Sequence, residues 1–269
     1  APDGHYVLGL VEMQKKLEEY SNGEMTLDIY PNSALGGESD MMDAVSMGTQ
    51  DMVLSSTGPI PDFSSATDNW ATLDLPYLFE TAEDAYKVLD GEIGQSLLDE
   101  FQGSGIKAIG FWENGFRELT NNTKEVATPA DLAGMKIRTM ENPYHMAFWK
   151  ALGANPTPMS FSEVYIGLQQ HTIDAQENPY EVIVSNNLFE QQDYVVETNH
   201  LPHLISLIVN DDFFRDLPEE EQAIMAEAAQ KATEYARDQS DARIADRIAT
   251  IEDSGTQVVT LSEELHDQI

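Results

Sequence analysis

Cysteine is absent from the 269 residues, which excludes disulfides, thiolate nucleophiles and cysteine-containing zinc sites. The compartment stays open, because export does not require disulfides. Basic residues are scarce: 14 Lys plus Arg stand against 48 Asp plus Glu, a formal net charge of −34. Nucleic acid and anionic membrane surfaces repel such a chain, since binding them demands clustered cations that neutralise phosphate. No apolar run approaches the roughly 18 residues of a membrane span, so direct membrane insertion is not expected. A secretory signal is also missing, and the sequence opens at Ala1 inside what reads as the start of a helix, the pattern of a processed or trimmed chain.

Signatures of chemistry are missing as well. The six histidines (His5, His145, His171, His200, His203, His266) form no His-x-x-x-His pair with an adjacent Glu, and His200 with His203 reads as a packed, structural pair. There is no Gly-x-Ser-x-Gly elbow, P-loop or Rossmann glycine fingerprint. With so many carboxylates, any acid/base pair is a coincidence of abundance. The reading is of a protein that is not an enzyme and takes neither metal nor cofactor.

What is present is a foldable chain, 41% hydrophobic and long enough for one large or two medium domains. Its acids are dispersed rather than gathered in a tail, which points to work in high salt, where screening shortens self-repulsion. Helical spacing over Tyr6–Tyr20 gives way to an alternating strand at Met25–Tyr30, a helix over Ser39–Met47 and a strand at Asp51–Ser55. One helix is expected from Ala82 to Gln102 and a strand from Ile106 to Trp112. A second series follows: strand Met135–Met140, helix Tyr144–Leu152, a proline-rich link at Pro156 and Pro158, helix Ser162–Gln170 and strand Thr172–Gln176. Val45–Asp51 weakly echoes Leu168–Asp174, each spanning a helix end and a turn, which favours two α/β domains. Leu201–Asn210 reads as a buried strand, and Pro218 to Asp253 as one helix of roughly 50 Å, a brace across two domains.

A protein this acidic that binds an anion must concentrate its few cations at the site. Arg138, in the strand Met135–Met140, and Arg117, after Phe111–Phe116, fall near carboxyl ends of predicted strands, where open α/β sheets bind ligands. A planar guanidinium meets carboxylate bidentately; a surface salt bridge is the competing account of both. Gln176-Glu177-Asn178-Pro179 ends a strand, so a side-chain amide there can reach a ligand oxygen, although Pro179 also suits a plain turn. Phe161, Trp112 and Tyr180 are candidates to line a pocket, with core packing as the alternative.

Taken in order, Tyr30-Pro31-Asn32-Ser33-Ala34-Leu35-Gly36-Gly37-Glu38, Leu75-Pro76-Tyr77-Leu78-Phe79, Phe116-Arg117 with Thr120-Asn121, and Gly134-Met135-Lys136-Ile137-Arg138 form a series of motifs. Gly153–Met159, Phe161-Ser162-Glu163-Val164-Tyr165 and Gln176–Pro179 continue it. The chain resembles, over essentially its whole length, the DctP-like solute-binding proteins of tripartite ATP-independent periplasmic (TRAP) transporters. That resemblance implies an α/β, type II-like periplasmic binding protein of two domains joined by hinge strands, with a long helix spanning both and closure around the ligand. The domains are expected at 1–114 with 204–243, and at 115–203 with 244–269. It implies that Arg138 grips a substrate carboxylate, that Arg117 is a second cation, that Asn178 is an amide donor on the same wall and that Phe161 packs on the ligand. Ser56 and His5, at the other domain's edge, would complete the cage, and Trp112, Glu113 and Tyr180 join the candidate site from the reading of the residues themselves. The family's first strand, expected before His5, and its last helix, expected beyond Ile269, are not in this sequence.

The expected function is therefore capture of a small organic acid anion in the periplasm and delivery to TRAP membrane permease subunits. Polar neighbours Glu113, Asn114 and Glu141 suit hydroxyl groups, which favours an aldonate or uronate beside a C4-dicarboxylate. A zwitterionic compatible solute of the ectoine type, and a periplasmic ligand sensor, are the alternatives.

Overall fold

The computed structural model describes residues 4–261, 266 and 268; Ala1, expected at the start of a helix, lies outside them. Helix α1 (His5–Tyr20) is followed by α2 (Glu38–Ser46), strand β1 (Met52–Ser56), the short α3 (Ile60–Phe63), α4 (Ala82–Leu89) and α5 (Glu92–Asp99). Strands β2 (Ile106–Phe116), β3 (Glu118–Asn121) and β4 (Lys136–Thr139) precede α6 (Pro143–Ala151), β5 (Asn155–Pro158), α7 (Phe161–Gln169), β6 (Ala175–Asn178) and α8 (Tyr180–Ser185). The order continues through β7 (Tyr194–Glu197), β8 (Pro202–Asn210), α9 (Asp211–Asp216), α10 (Glu219–Asp253) and β9 (Gln257–Thr260).

The chain divides into two compact units. Unit 1 comprises Ala1–Trp70, Thr81–Asn114 and Leu204–Ala242, and unit 2 comprises Ala71–Glu80, Gly115–His203 and Arg243–Ile269. Three of the five divisions fall inside β2, β8 and α10, so each of these elements contributes residues to both units, and the other two bracket Ala71–Glu80.

Unit 1 is built on a three-stranded sheet of order β1-β8-β2. Strand β8 runs antiparallel to β1, from Met52 opposite Val209 to Ser56 opposite Ile205, and every one of its residues is buried. That central position explains its unbroken apolar run. Ile205, Leu207 and Val209 pack with Met13 and Leu17 of α1, Trp112, and Met225, Ala228, Ala229, Ala232 and Ala236 of α10. The alanines that make α10 a poor coiled-coil seam are what let it approach the sheet closely. Gly9 serves the same end, since a Cβ there would lie 2.6 Å from the Trp112 ring.

Unit 2 holds a six-stranded mixed sheet of order β5-β4-β6-β3-β7-β9. Strand β4 is parallel to β5 and β6, β3 is antiparallel to β6 and β7, and β9 is parallel to β7. Each face covers its own core. Leu119, Ile137, Ala175 and Val196 meet Trp149 of α6 on one side. Val195 meets Val164 and Leu168 of α7, Tyr180 and Ile183 of α8 and Ile251 of α10 on the other.

The structure departs from the sequence-based expectations in three places. Residues 25–30 show strand-like alternation of half-buried and exposed side chains, yet no strand forms there, because no neighbour among the described residues supplies a ladder. The helix expected over Ala82–Gln102 is broken at Asp90-Gly91 into α4 and α5. The close turn requires glycine at position 94, where a Cβ would sit 1.8 Å from the Leu89 carbonyl oxygen. The proline-rich link is strand β5, whose prolines are tolerated because it lies at the sheet edge. The echo between the two units has a structural counterpart: Gly48 and His171, aligned in it, both take positive φ (+70° and +55°) just past α2 and α7.

Candidate binding site on the sheet of unit 2

Register sorts the side chains of this sheet by face, because successive residues of a strand alternate. Arg138 stands beside Gln176 in the parallel pair β4·β6, and Gln176 stands opposite Thr120 in the antiparallel pair β6·β3. Arg138, Gln176, Asn178, Glu118 and Thr120 therefore share one face, whereas Ile137, Ala175, Glu177, Leu119 and Arg117 belong to the other.

Arg138 is 3% exposed. Its Nε donates to the Met159 carbonyl at 2.9 Å, and its guanidinium carbon lies 5.7 Å from the centre of the Phe161 ring, at the first residue of α7. The stem is thus threaded through a fixed point and the planar head rests on an aromatic face, an arrangement that suits Arg and not Lys. Asn178, equally buried, donates from Nδ2 to Oε1 of Gln176 at 2.6 Å. Gln176 Nε2 in turn donates to Thr120 Oγ1 at 2.9 Å, and Thr120 donates to Gln192 Oε1 at 2.6 Å.

Arg117 lies on the opposite face and is fully buried. Its Nε donates to Oε2 of Glu177 and its Nη2 to Oε1 at 2.9 Å and to the Glu177 carbonyl at 2.6 Å. His200 Nε2 meets the same carboxylate at 3.1 Å, and His200 Nδ1 meets Thr198 Oγ1 at 2.8 Å. A carboxylate only accepts, so Nε2 carries the proton and the threonine hydroxyl donates to Nδ1. Burial lowers the His200 pKa against the opposing pull of Glu177, which keeps the ring neutral. For Glu177 burial acts upward, but the Arg117 charge and the hydrogen bonds from His200 and Arg117 outweigh it and hold the carboxyl far below the usual range. The Phe148 ring stacks on His200 at 5.5 Å and Trp149 meets its edge at 5.2 Å. The second cation expected of the site thus has its charge cancelled in place by Glu177. Its Nη1, buried and without a hydrogen-bond partner among the described residues, retains only donor capacity.

The other expected site residues divide sharply. Tyr180 of α8 packs in the core it shares with α7, and its hydroxyl donates to Glu197 at 2.8 Å. Trp112 of unit 1 is likewise core: it is fully buried and its Nε1 donates to Thr233 of α10 at 2.9 Å. His5 is buried with Nε2 2.6 Å from the Ala236 carbonyl of α10, and Glu113 accepts from the Tyr86 hydroxyl at 3.0 Å. Ser56 donates both its N–H and its hydroxyl to Oε1 of Glu38, at 2.8 and 2.7 Å. The sequence alone does not single out Glu38, Glu177 and Gln176 as site-shaping residues, although all three sit inside quoted motifs. Their roles depend on partners 18 to 60 positions away.

Among the described residues no helix is long and apolar enough to cross a membrane, and no three His, Asp or Glu side chains gather as a metal site. Comparison with known proteins fits a carrier of small acids. The 2,3-diketo-L-gulonate-binding periplasmic protein YiaO of Escherichia coli is 40% identical over 221 residues, 82% of this chain and 66% of that protein. A TRAP periplasmic solute-binding protein from Polaromonas sp. JS666, solved bound to D-erythronate, matches with a TM-score of 0.94 and 38% identity over 100% of this chain and 88% of that one. The sugar acid binding protein DctPAm of Advenella mimigardefordensis, solved with galactonate, matches with a TM-score of 0.96 at 29% identity, covering 100% and 86%. The architecture is therefore the mixed α/β fold of TRAP periplasmic binding proteins. The DctP model, described as bacterial extracellular solute-binding protein, family 7, matches residues 1–269, and this chain belongs to that family of transport proteins, which bind their substrates without transforming them.

Proposed function

We propose that this protein captures a small hydroxylated carboxylate, an aldonate-type sugar acid, in the periplasm and delivers it unchanged to a TRAP membrane permease. The observation that carries the reading is Arg138: a nearly buried guanidinium, fixed by the Met159 carbonyl and the Phe161 ring, on the sheet face that also bears the amide of Asn178. A guanidinium taken out of water and held in one orientation offers a bidentate seat to a carboxylate. Arg117 adds no net charge on this face, because it lies on the other side of the sheet with its charge already compensated by Glu177. One strong cationic seat surrounded by neutral amides suits a monoacid bearing hydroxyls better than a dicarboxylate. The acids bound by the relatives, D-erythronate and galactonate, have that chemistry.

A thermal-shift screen of organic acids followed by calorimetry tests the proposal. Aldonates at a hundredfold excess over their dissociation constant should stabilise the protein by about 2.7 kcal/mol, saturably and with the acid recovered intact. Stabilisation by succinate or by ectoine with none by aldonates would replace the ligand class. Conversion of the acid would replace the carrier reading with an enzyme.

A further inference from the structure

The amides on the Arg138 face form a relay whose direction is set at one end. Gln192, 3% exposed, donates from Nε2 to the carbonyls of Gln191 (2.7 Å) and Asp174 (3.5 Å). Turning that amide over would set oxygen against oxygen, so Oε1 must point to Thr120. The single proton of the Thr120 hydroxyl then goes to Gln192. Its oxygen is left to accept, which forces Gln176 to present Nε2 to it and Oε1 to Asn178. Asn178 is thereby obliged to give one of its Nδ2 protons inward. All four side chains are nine-tenths or more buried, so water cannot substitute for a reversed member, and each reversal would bury an unsatisfied pair.

We propose that Gln192, Thr120 and Gln176 are positioning residues that hold the Asn178 amide in one orientation, leaving one N–H and Oδ1 side by side as a donor–acceptor pair that selects acids carrying a hydroxyl next to the carboxylate. The N–H meets a carboxylate oxygen and Oδ1 accepts the 2-hydroxyl proton, while Arg138 holds the carboxylate. The inference rests on the function proposed above and adds to it the position of the hydroxyl. It also revises the role expected of Asn178, from donor alone to donor and acceptor.

The test compares D-erythronate with its 2-deoxy analogue, 3,4-dihydroxybutyrate, by calorimetry on the wild-type protein and on Thr120→Val and Asn178→Asp. A buried acceptor left without its donor costs about 1–3 kcal/mol, so the wild type should prefer D-erythronate by about tenfold or more. Thr120→Val removes the hydroxyl that sets the direction, frees the amide to turn over and should bring the ratio close to unity, although the substituted side chain lies behind Gln176 and acts only through it. Asn178→Asp, an acceptor that cannot donate, should weaken both acids. A merely structural Thr120 would lower melting temperature or both affinities together and leave the ratio unmoved; that result overturns the relay. A wild type that binds both acids equally also overturns it while leaving the carrier intact. A wild type that binds neither of them, nor any other hydroxy acid, overturns the proposed function and the relay together.

Discussion

The two faces of the unit 2 sheet each bury an arginine and treat it differently. On one face Arg117 is locked to Glu177, with neutral His200 and Thr198 behind the carboxylate and two aromatic rings around the imidazole. On the other, Arg138 is held by a main-chain carbonyl and an aromatic ring beside a row of neutral amides. The first arrangement satisfies charge internally and is suited to holding a sheet together; the second holds the guanidinium in one orientation beside side-chain amides. Under the proposed function the faces are expected to respond to different perturbations, stability on the Arg117 side and affinity on the Arg138 side.

The largest expected effect on stability comes from Glu177→Ala, which leaves the Arg117 guanidinium buried without its carboxylate and should cost about 3–5 kcal/mol in denaturant unfolding. Replacing both members by apolar residues, Arg117→Met with Glu177→Leu, should cost less than the single change. A double variant as unstable as Glu177→Ala would mean that the pair stabilises by more than mutual compensation. The pH dependence has a defined sign. Since the folded-state pKa of Glu177 is depressed, its contribution is complete above the ordinary glutamate value of about 4.3 and is lost as pH falls toward the folded value.

Glu118 provides the opposite and smaller case. It is buried on the Arg138 face with Asn199 N–H donating to Oε2 at 2.9 Å, and burial, reinforced by the Glu197 charge, lifts its pKa well above the carboxylate range. Its negative field also helps burial to push the Tyr77 hydroxyl up to about 12. A raised carboxyl binds its proton more tightly folded than unfolded, so it costs stability progressively as pH rises above about 4.3. Glu118→Gln should therefore raise the melting temperature at neutral pH and leave it unchanged near pH 4. A uniform shift at all pH values would show that the effect is packing and not protonation.

Much of this arrangement is legible in the sequence, and the parts that are not share a cause. Arg138 and Phe161 can be placed because a short alternating strand and a helix start are local patterns, and α1, α10 and β8 follow from periodicity and burial. Trp112 and Tyr180 read as pocket candidates because an aromatic next to a strand end has the same local signature in a pocket and in a core; their hydrogen-bond partners, Thr233 and Glu197, are 121 and 17 positions away and not legible locally. Arg117 can be found but not its compensation, since Glu177 is 60 positions away. The direction of the Asn178 amide depends on Thr120 and Gln192, brought together only by the pairing of β6 with β3 and the turn before β7.

The account depends most on the carboxylate seat at Arg138, and calorimetry of Arg138→Ala and Arg138→Lys with D-erythronate tests it directly. Loss of the guanidinium should weaken binding by about 2–5 kcal/mol, at least thirtyfold, with the lysine variant only partly restored and the melting temperature of the unliganded protein little changed. Binding within threefold of wild type in Arg138→Ala, in a protein that still unfolds cooperatively, would contradict it.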